Sequence, residues 1–164
     1  MAEFYVKGPF EVPCIQRRVG RTIDTSRLRE FWDETIGSDL QQTRGCYVFG
    51  MRAGKGIVPV YVGKASKSFR QECFTPHKLN KINASLLDWK RGTPVLFLVS
   101  AESRRAGLIN IAERFLIQNA IARNEHLANI HGTKLETWGI AGVLRGGKGL
   151  PSEAAKSFKK MMGL

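Results

Sequence analysis

The sequence predicts an α/β protein: a small three-stranded central sheet flanked by helices, with N-terminal strand and helix additions and a C-terminal helical addition. Three observations lead there. The runs Gly45-Cys46-Tyr47-Val48-Phe49, Val60-Tyr61-Val62-Gly63-Lys64 and Pro94-Val95-Leu96-Phe97-Leu98-Val99 are short, apolar and rich in β-branched and aromatic residues. In the first two, apolar side chains fall on both faces, so both faces need cover. The segments between and after them carry apolar residues at helical spacing and can supply it. The 164 residues suffice for one compact domain with a real core, and 43% hydrophobic residues is ordinary for a folded chain.

Residues 4 to 16 alternate and carry Gly8, Pro9 and Pro13, which predicts one or two short strands with a turn. Asp24-Thr25-Ser26 offers a helix N-cap before Leu28, Phe31, Trp32 and Ile36, which share one helical face, and Gly37 stops that helix. The first tyrosine strand is predicted over about 45–51 and the second over about 57–63, joined by Gly54-Lys55-Gly56. A short helix over 66–74 carries Arg70; Pro76 opens another with Leu79, Ile82, Leu86 and Trp89 inward. The third strand spans 94–99 and the longest helix about 104–124. A loop over 129–134, a strand around 140–144 and a helix over 151–162, with Lys156, Lys159 and Lys160 against Ala155, Phe158 and Met162, complete the chain. The organisation is thus an extension over 1–40, a core over 44–131 and a C-terminal extension over 132–164 with a basic helix, all in one domain.

Lys and Arg outnumber Asp and Glu by 26 to 14, a net charge of +12, which favours a polyanionic partner, most simply nucleic acid. The membrane alternative wants a basic amphipathic anchor or a lipidation motif, and none is recognised. No segment has a signal-peptide layout or transmembrane length, so a cytoplasmic protein is expected. Cys14, Cys46 and Cys73 are odd in number and scattered, and with His77, His126 and His131 they form no zinc spacing; reduced thiols are expected, Cys46 filling core volume. Gly142 to Lys148 has the spacing of a phosphate-binding loop, but Gly149 stands where a Ser or Thr would ligate Mg²⁺; Gly50 to Lys55 is one residue short. No nucleotide cofactor is expected.

Glu113 carries the sharpest chemical argument. On a helix its neighbours are Ile109, Asn110, Leu116 and Ile117, so the carboxylate is partly withdrawn from water and needs a cation. That cation is either an arginine such as Arg70 or Arg114, in a structural ion pair, or a divalent metal. Tyr47 and Tyr61 are either packed strand aromatics or water-binding phenols. A phenol with a pKa of about 10 needs a nearby positive charge to serve as a base, and Lys64 could supply it. Arg70 is either a solvated charge or a fork for two phosphate oxygens, and Lys64 is likewise exposed or a phosphate contact.

Taken in order, these residues resemble the GIY-YIG nuclease superfamily. Gly45-Cys46-Tyr47 stands for the first triplet, with Cys for the usual Ile, and Tyr61-Val62-Gly63 for the second. Arg70 matches the arginine after the second strand, Glu113 the metal-binding glutamate followed by Leu-Ile, and Asn129 the asparagine that closes the core. The match covers residues 44 to 131, roughly half of the chain, with a longer connection than usual between the tyrosines and with His77 later than a family histidine. The resemblance implies a stand-alone hydrolase, an endonuclease that cuts DNA phosphodiesters with Mg²⁺ or Mn²⁺ on Glu113. It implies Tyr47 at the attacking water, Tyr61 orienting, Arg70 and Lys64 balancing phosphate charge and Asn129 bracing the site. A 5′-phosphate and a 3′-hydroxyl would result. RNA as substrate and a non-catalytic nucleic-acid-binding module are the alternatives, and cutting both strands would call for a homodimer or two visits.

Overall fold

The computed structural model describes residues 3–54, 56–89, 91–101, 106–129 and 151–163. The chain divides into two units, residues 1–134 and 135–164. Of the loop expected over 129–134 only Asn129 is described; the strand expected over 140–144 and the Gly142 to Lys148 run lie outside the described residues.

The first unit is built on an antiparallel sheet of four strands, not three, ordered β1 (Phe4–Glu11), β6 (Thr93–Ala101), β4 (Gly45–Ala53) and β5 (Gly56–Ala65). The three expected strands are its β6, β4 and β5. The fourth comes from the N-terminal segment, which pairs Phe4 to Ala101 through Glu11 to Val95. Its register shifts between Lys7 and Phe10, where Gly8 and Pro9 fall, a position that only an edge strand tolerates. A separate hairpin, β2 (Cys14–Arg17) with β3 (Gly20–Ile23), occupies what sequence reading treats as a strand end and a basic segment.

The predicted N-terminal helix forms, but unevenly. Asp24 caps it by accepting from Ser26 N at 3.1 Å; a 3₁₀ turn (Thr25–Arg27) leads into α1 (Leu28–Glu30) and then a π turn (Phe31–Ile36). Gly37 N donates to Trp32 O at 3.1 Å, the five-residue step of that wide turn, and Gly37 ends it at φ +85°. A second short helix, α2 (Ser38–Gln41), follows. Then come α3 (Phe69–Glu72), shorter than the 66–74 expected and capped by Ser68, α4 (Pro76–Leu87), opened by its proline, and α5 (Ala106–Arg123).

The sheet is covered on both faces, as its apolar strands require. Tyr47, Phe49, Met51 and Tyr61 face a core with Phe69, Ile82 and Leu86, while Val62 packs with Ile117, Ala120 and Leu127 on the side of α5. Val12, Ile23, Phe31, Trp32 and Ile36 belong to the first of these cores, so the N-terminal extension completes it. In the second unit, α6 (Glu153–Met162) starts on Ser152, whose Oγ accepts from Ala155 N at 3.1 Å. No helix among the described residues is long and apolar enough to cross a membrane.

Gly45 opens β4 at φ +152°, and a Cβ there would lie 2.0 Å from Val99 O on β6. Gly45→Ala is therefore expected to cost about 3 kcal/mol or more, as strain plus displacement of β6, read as a lowered midpoint of urea unfolding at unchanged slope.

Candidate active site

The β4–β5 hairpin sets Tyr47 opposite Gly63. The phenol lies across the glycine, where a Cβ would come within 2.4 Å of its Cζ and hydroxyl, so Gly63 leaves the space that Tyr47 fills. Two residues before Gly63, Tyr61 shares that face; its ring centroid is 6.3 Å from that of Tyr47, at 38°. The register slips once between Phe49 and Gly50, leaving Val60 as the extra residue of a bulge beside Pro59.

Tyr47 is fully buried, and its hydroxyl has no hydrogen-bond partner among the described residues. Burial pushes its pKa far up, with further increments from Cys73, Tyr61, Glu113 and Glu72. Burial also raises Tyr61, with Glu113 adding and the neighbouring Tyr47 hydroxyl partly opposing. Both are neutral phenols at physiological pH, suited to donate and accept hydrogen bonds rather than to act as phenolate bases. Tyr61, 7% exposed, is the member that reaches solvent.

Glu113 lies on α5 in line with Ile109, Ile117 and Ala120, spaced i, i+4, i+8 and i+11, and those three are buried. Its side chain is 22% exposed, and Lys64 Nζ meets its Oε2 at 3.2 Å while donating to Asn110 Oδ1 at 2.7 Å. The cation beside Glu113 is thus a lysine from β5; Arg70, one of the partners sequence reading allowed, is engaged elsewhere. Strand alternation puts Lys64 and Cys46 on the α5 side, Cys46 Sγ donating to Ile109 O at 3.5 Å, and the two phenols on the other. Burial, then Glu113, pushes the Cys46 thiol up to about 12, which leaves it inert core filling.

The site therefore straddles β5, the edge strand, and the outward backbone groups of that edge are taken one after another. Ala128 N donates to Val60 O at 2.8 Å. Asn129 accepts from Val62 N at 2.9 Å and donates to Val62 O at 2.7 Å, a side chain imitating a neighbouring strand. Lys78 Nζ donates to Lys64 O at 3.3 Å and to Glu72 O at 2.7 Å, and stands 5.1 Å from the Tyr47 ring centroid. Burial lowers its pKa, which the nearby carboxylates partly offset.

Arg70, on α3, uses Nη1 for both of its contacts, with the Asp33 carboxylate and the Gln41 side-chain oxygen. Nε and Nη2 carry no hydrogen bond to a described residue. The pairing with Arg70 comes first among the causes that lower the pKa of Asp33. A recess of about 400 Å³ lined by Ser66, Lys67, Gln71 and Glu72 opens along the stretch between Lys64 and Arg70.

Of the six residues singled out from the sequence, Lys64 and Glu113 meet on the α5 face of β5 and Tyr47 and Tyr61 pair on its other face, with Glu113 among the charges that raise both phenols. Asn129 braces the strand between Tyr61 and Lys64, and Arg70 stands with Asp33 and Gln41. His77 is exposed. Lys78 and Gln41 escaped sequence reading. Lys78 had a signal: with Ile82 and Leu86 it makes an i, i+4, i+8 stripe on the buried face of α4, the same pattern that marks Glu113. Gln41, 4% exposed, lies on a helix too short for any period to show. Among the described residues no three His, Cys, Asp or Glu side chains gather to hold a metal, so a cation here would rest on Glu113 alone. In comparison with known proteins, no family model, no curated protein and no solved structure matches the chain.

A buried hydroxyl without a partner costs about 1–3 kcal/mol, so Tyr47→Phe is expected to raise the stability by an amount of that order. Chemical unfolding measures it; a loss of stability would show that the hydroxyl is satisfied within the fold.

Proposed function

We propose that this chain is a GIY-YIG-like, divalent-metal-dependent endonuclease acting on DNA. The observation that carries the reading is Glu113, a carboxylate set into a buried apolar stripe and paired with Lys64 on the strand that also carries Tyr61. The donor chemistry fits a hard cation: one carboxylate oxygen site, backed by neutral phenols able to hydrogen-bond water, suits Mg²⁺ or Mn²⁺ that keeps most of its hydration. Glu113 would hold that ion, which when bound supplies Lewis acidity toward phosphate and water oxygens.

The protein groups divide the remaining work. Tyr61 orients the attacking water, and the Tyr47 ring packs beside Tyr61. In-line attack forms the new P–O bond as the bond from phosphorus to the 3′ oxygen breaks; the water gives up its proton to solvent and the departing oxygen takes one from solvent, leaving a 5′-phosphate and a 3′-hydroxyl. Arg70 receives two nonbridging oxygens on Nε and Nη2 while Asp33 and Gln41 hold Nη1, and so offsets the charge that builds on phosphorus. Lys64 is the cation that Glu113 keeps in this structure; it must yield that carboxylate before an ion can use it, and its ammonium then lies next to the phosphate. Asn129 keeps β5 in place beneath these groups.

The Lys64–Glu113 pair also favours a second reading, a nucleic-acid-binding module in which the pair is merely structural. Two measurements separate them. Glu113→Gln is expected to abolish Mg²⁺- or Mn²⁺-dependent cleavage of a labelled duplex while binding is retained; a wild type that cuts neither DNA nor RNA with either ion establishes the binding module. Lys64→Met is expected to tighten Mn²⁺ binding about fivefold, the equivalent of a part-exposed ion pair worth about 1 kcal/mol, while cleavage falls. Calorimetric titration with Mn²⁺ reads the first effect, and Mn²⁺ binding that ignores position 64 removes Glu113 from the metal site.

A further inference from the structure

Outside the catalytic neighbourhood, the β2–β3 hairpin carries Arg17, Arg18 and Arg21 on a ribbon of two four-residue strands. Four other described arginines sit against acids: Arg27 on Glu30, Arg29 and Arg70 on Asp33, Arg52 on Glu11. The three hairpin arginines have no carboxylate within ion-pair distance among the described residues. Two of them are held by neutral acceptors through Nε alone, Arg17 by Thr22 Oγ1 at 3.2 Å and Arg21 by Gln16 Oε1 at 2.9 Å. Gln16 is itself pinned by donating to Gly20 O at 3.1 Å. This bracing orders the stems of Arg17 and Arg21 and leaves their terminal nitrogens with no acceptor among the described residues, the state in which a fork binds phosphate at least entropic cost. At the tip, Val19 is 72% exposed between them.

The ribbon lies along the body, held through β3 at both ends, Gly20 next to the tip and Ile23 at the base. Gly20, at φ +100°, packs so closely on α4 that a Cβ would lie 2.2 Å from Leu87 O, and Asn83 Oδ1 accepts from Ile23 N at 2.9 Å. The same helix carries Lys78, which touches Tyr47 and the backbone of Lys64, at its other end. The nine residue steps from Lys78 to Leu87 span roughly 13 Å at 1.5 Å per step, about four base-pair steps of B-DNA.

We propose that the β2–β3 hairpin is a second duplex-DNA contact, an arginine ribbon that grips the phosphate backbone about four base pairs from the phosphate at the tyrosine pair. With β3 laid on α4, the exposed β2 strand and the turn are what face the duplex; the wide major groove of B-DNA admits them, whereas the deep, narrow groove of an RNA duplex excludes them. The assignment rests on the nucleic-acid reading of this chain and is independent of cleavage.

The test uses the full chain in EDTA, so that no cutting occurs, and follows binding to a fluorescent duplex by anisotropy across a salt series. The triple variant Arg17→Gln, Arg18→Gln, Arg21→Gln is expected to bind duplexes of any sequence more weakly, with the slope of log K against log salt shallower by about 3, one for each phosphate that no longer has an arginine. The Arg→Lys triple keeps the charge and is expected to retain most of the slope, and an unfolding curve on each variant confirms that the fold is intact. A folded Gln triple with unchanged affinity and slope overturns the proposal, as does a loss equal on duplex DNA, duplex RNA and single strands. If the wild type fails to cleave while the Gln triple still loses its slope, the hairpin assignment stands and only the catalytic one falls.

Discussion

The pairing of Tyr47 with Gly63 is the constraint on which the candidate site depends. With the phenol filling the space of the missing side chain, β4 and β5 have one workable register, and a slip of one residue would turn every side chain of β5 to the opposite face. That register places Tyr61 beside Tyr47 and sends Lys64 to α5 and Glu113. It also aims the free edge of β5 at Asn129, so that an amide side chain, rather than another strand, finishes the sheet there.

Two charged residues stand in apolar helical stripes on opposite sides of this hairpin, Glu113 on α5 and Lys78 on α4. Burial penalises either charge, and each is kept by a specific partner: Lys64 for the acid, two backbone carbonyls and a ring face for the base. A fold that only needed core would place Leu or Ile at both positions. Desolvation has its usual chemical return, since a group stripped of water interacts more strongly with whatever charge is brought next to it.

Much of this was legible beforehand, for reasons that particular residues make plain. The strands around Tyr47, Tyr61 and Leu96 were readable because apolar runs bounded by Gly and Pro have few alternatives, and α4 and α5 because Pro76 and long apolar periods mark them. Glu113 stood out as one polar residue in such a period. What failed was short or nonlocal. β3 has a single buried aliphatic, Ile23, and α2 is one turn, so neither repeats long enough to show a period. The fourth strand of the sheet is a pairing between residues some ninety positions apart, which no local pattern encodes. The acceptors on Arg70 come from Asp33 and Gln41, brought round by a π turn that sequence reading took for ordinary helix.

The aromatic contacts run without a break from Trp32 and Phe31 through Phe74 and Phe49 to Tyr47 and Tyr61. The stretch bearing the recognisable residues is therefore no portable cassette. Grafted elsewhere from residue 44 onward, it would lose Phe31 and Trp32 at the far end of that aromatic chain, the strand that shields β6 and both acceptors that steady its guanidinium. Any other chain given only that stretch would have to supply this scaffold from its own flanking sequence.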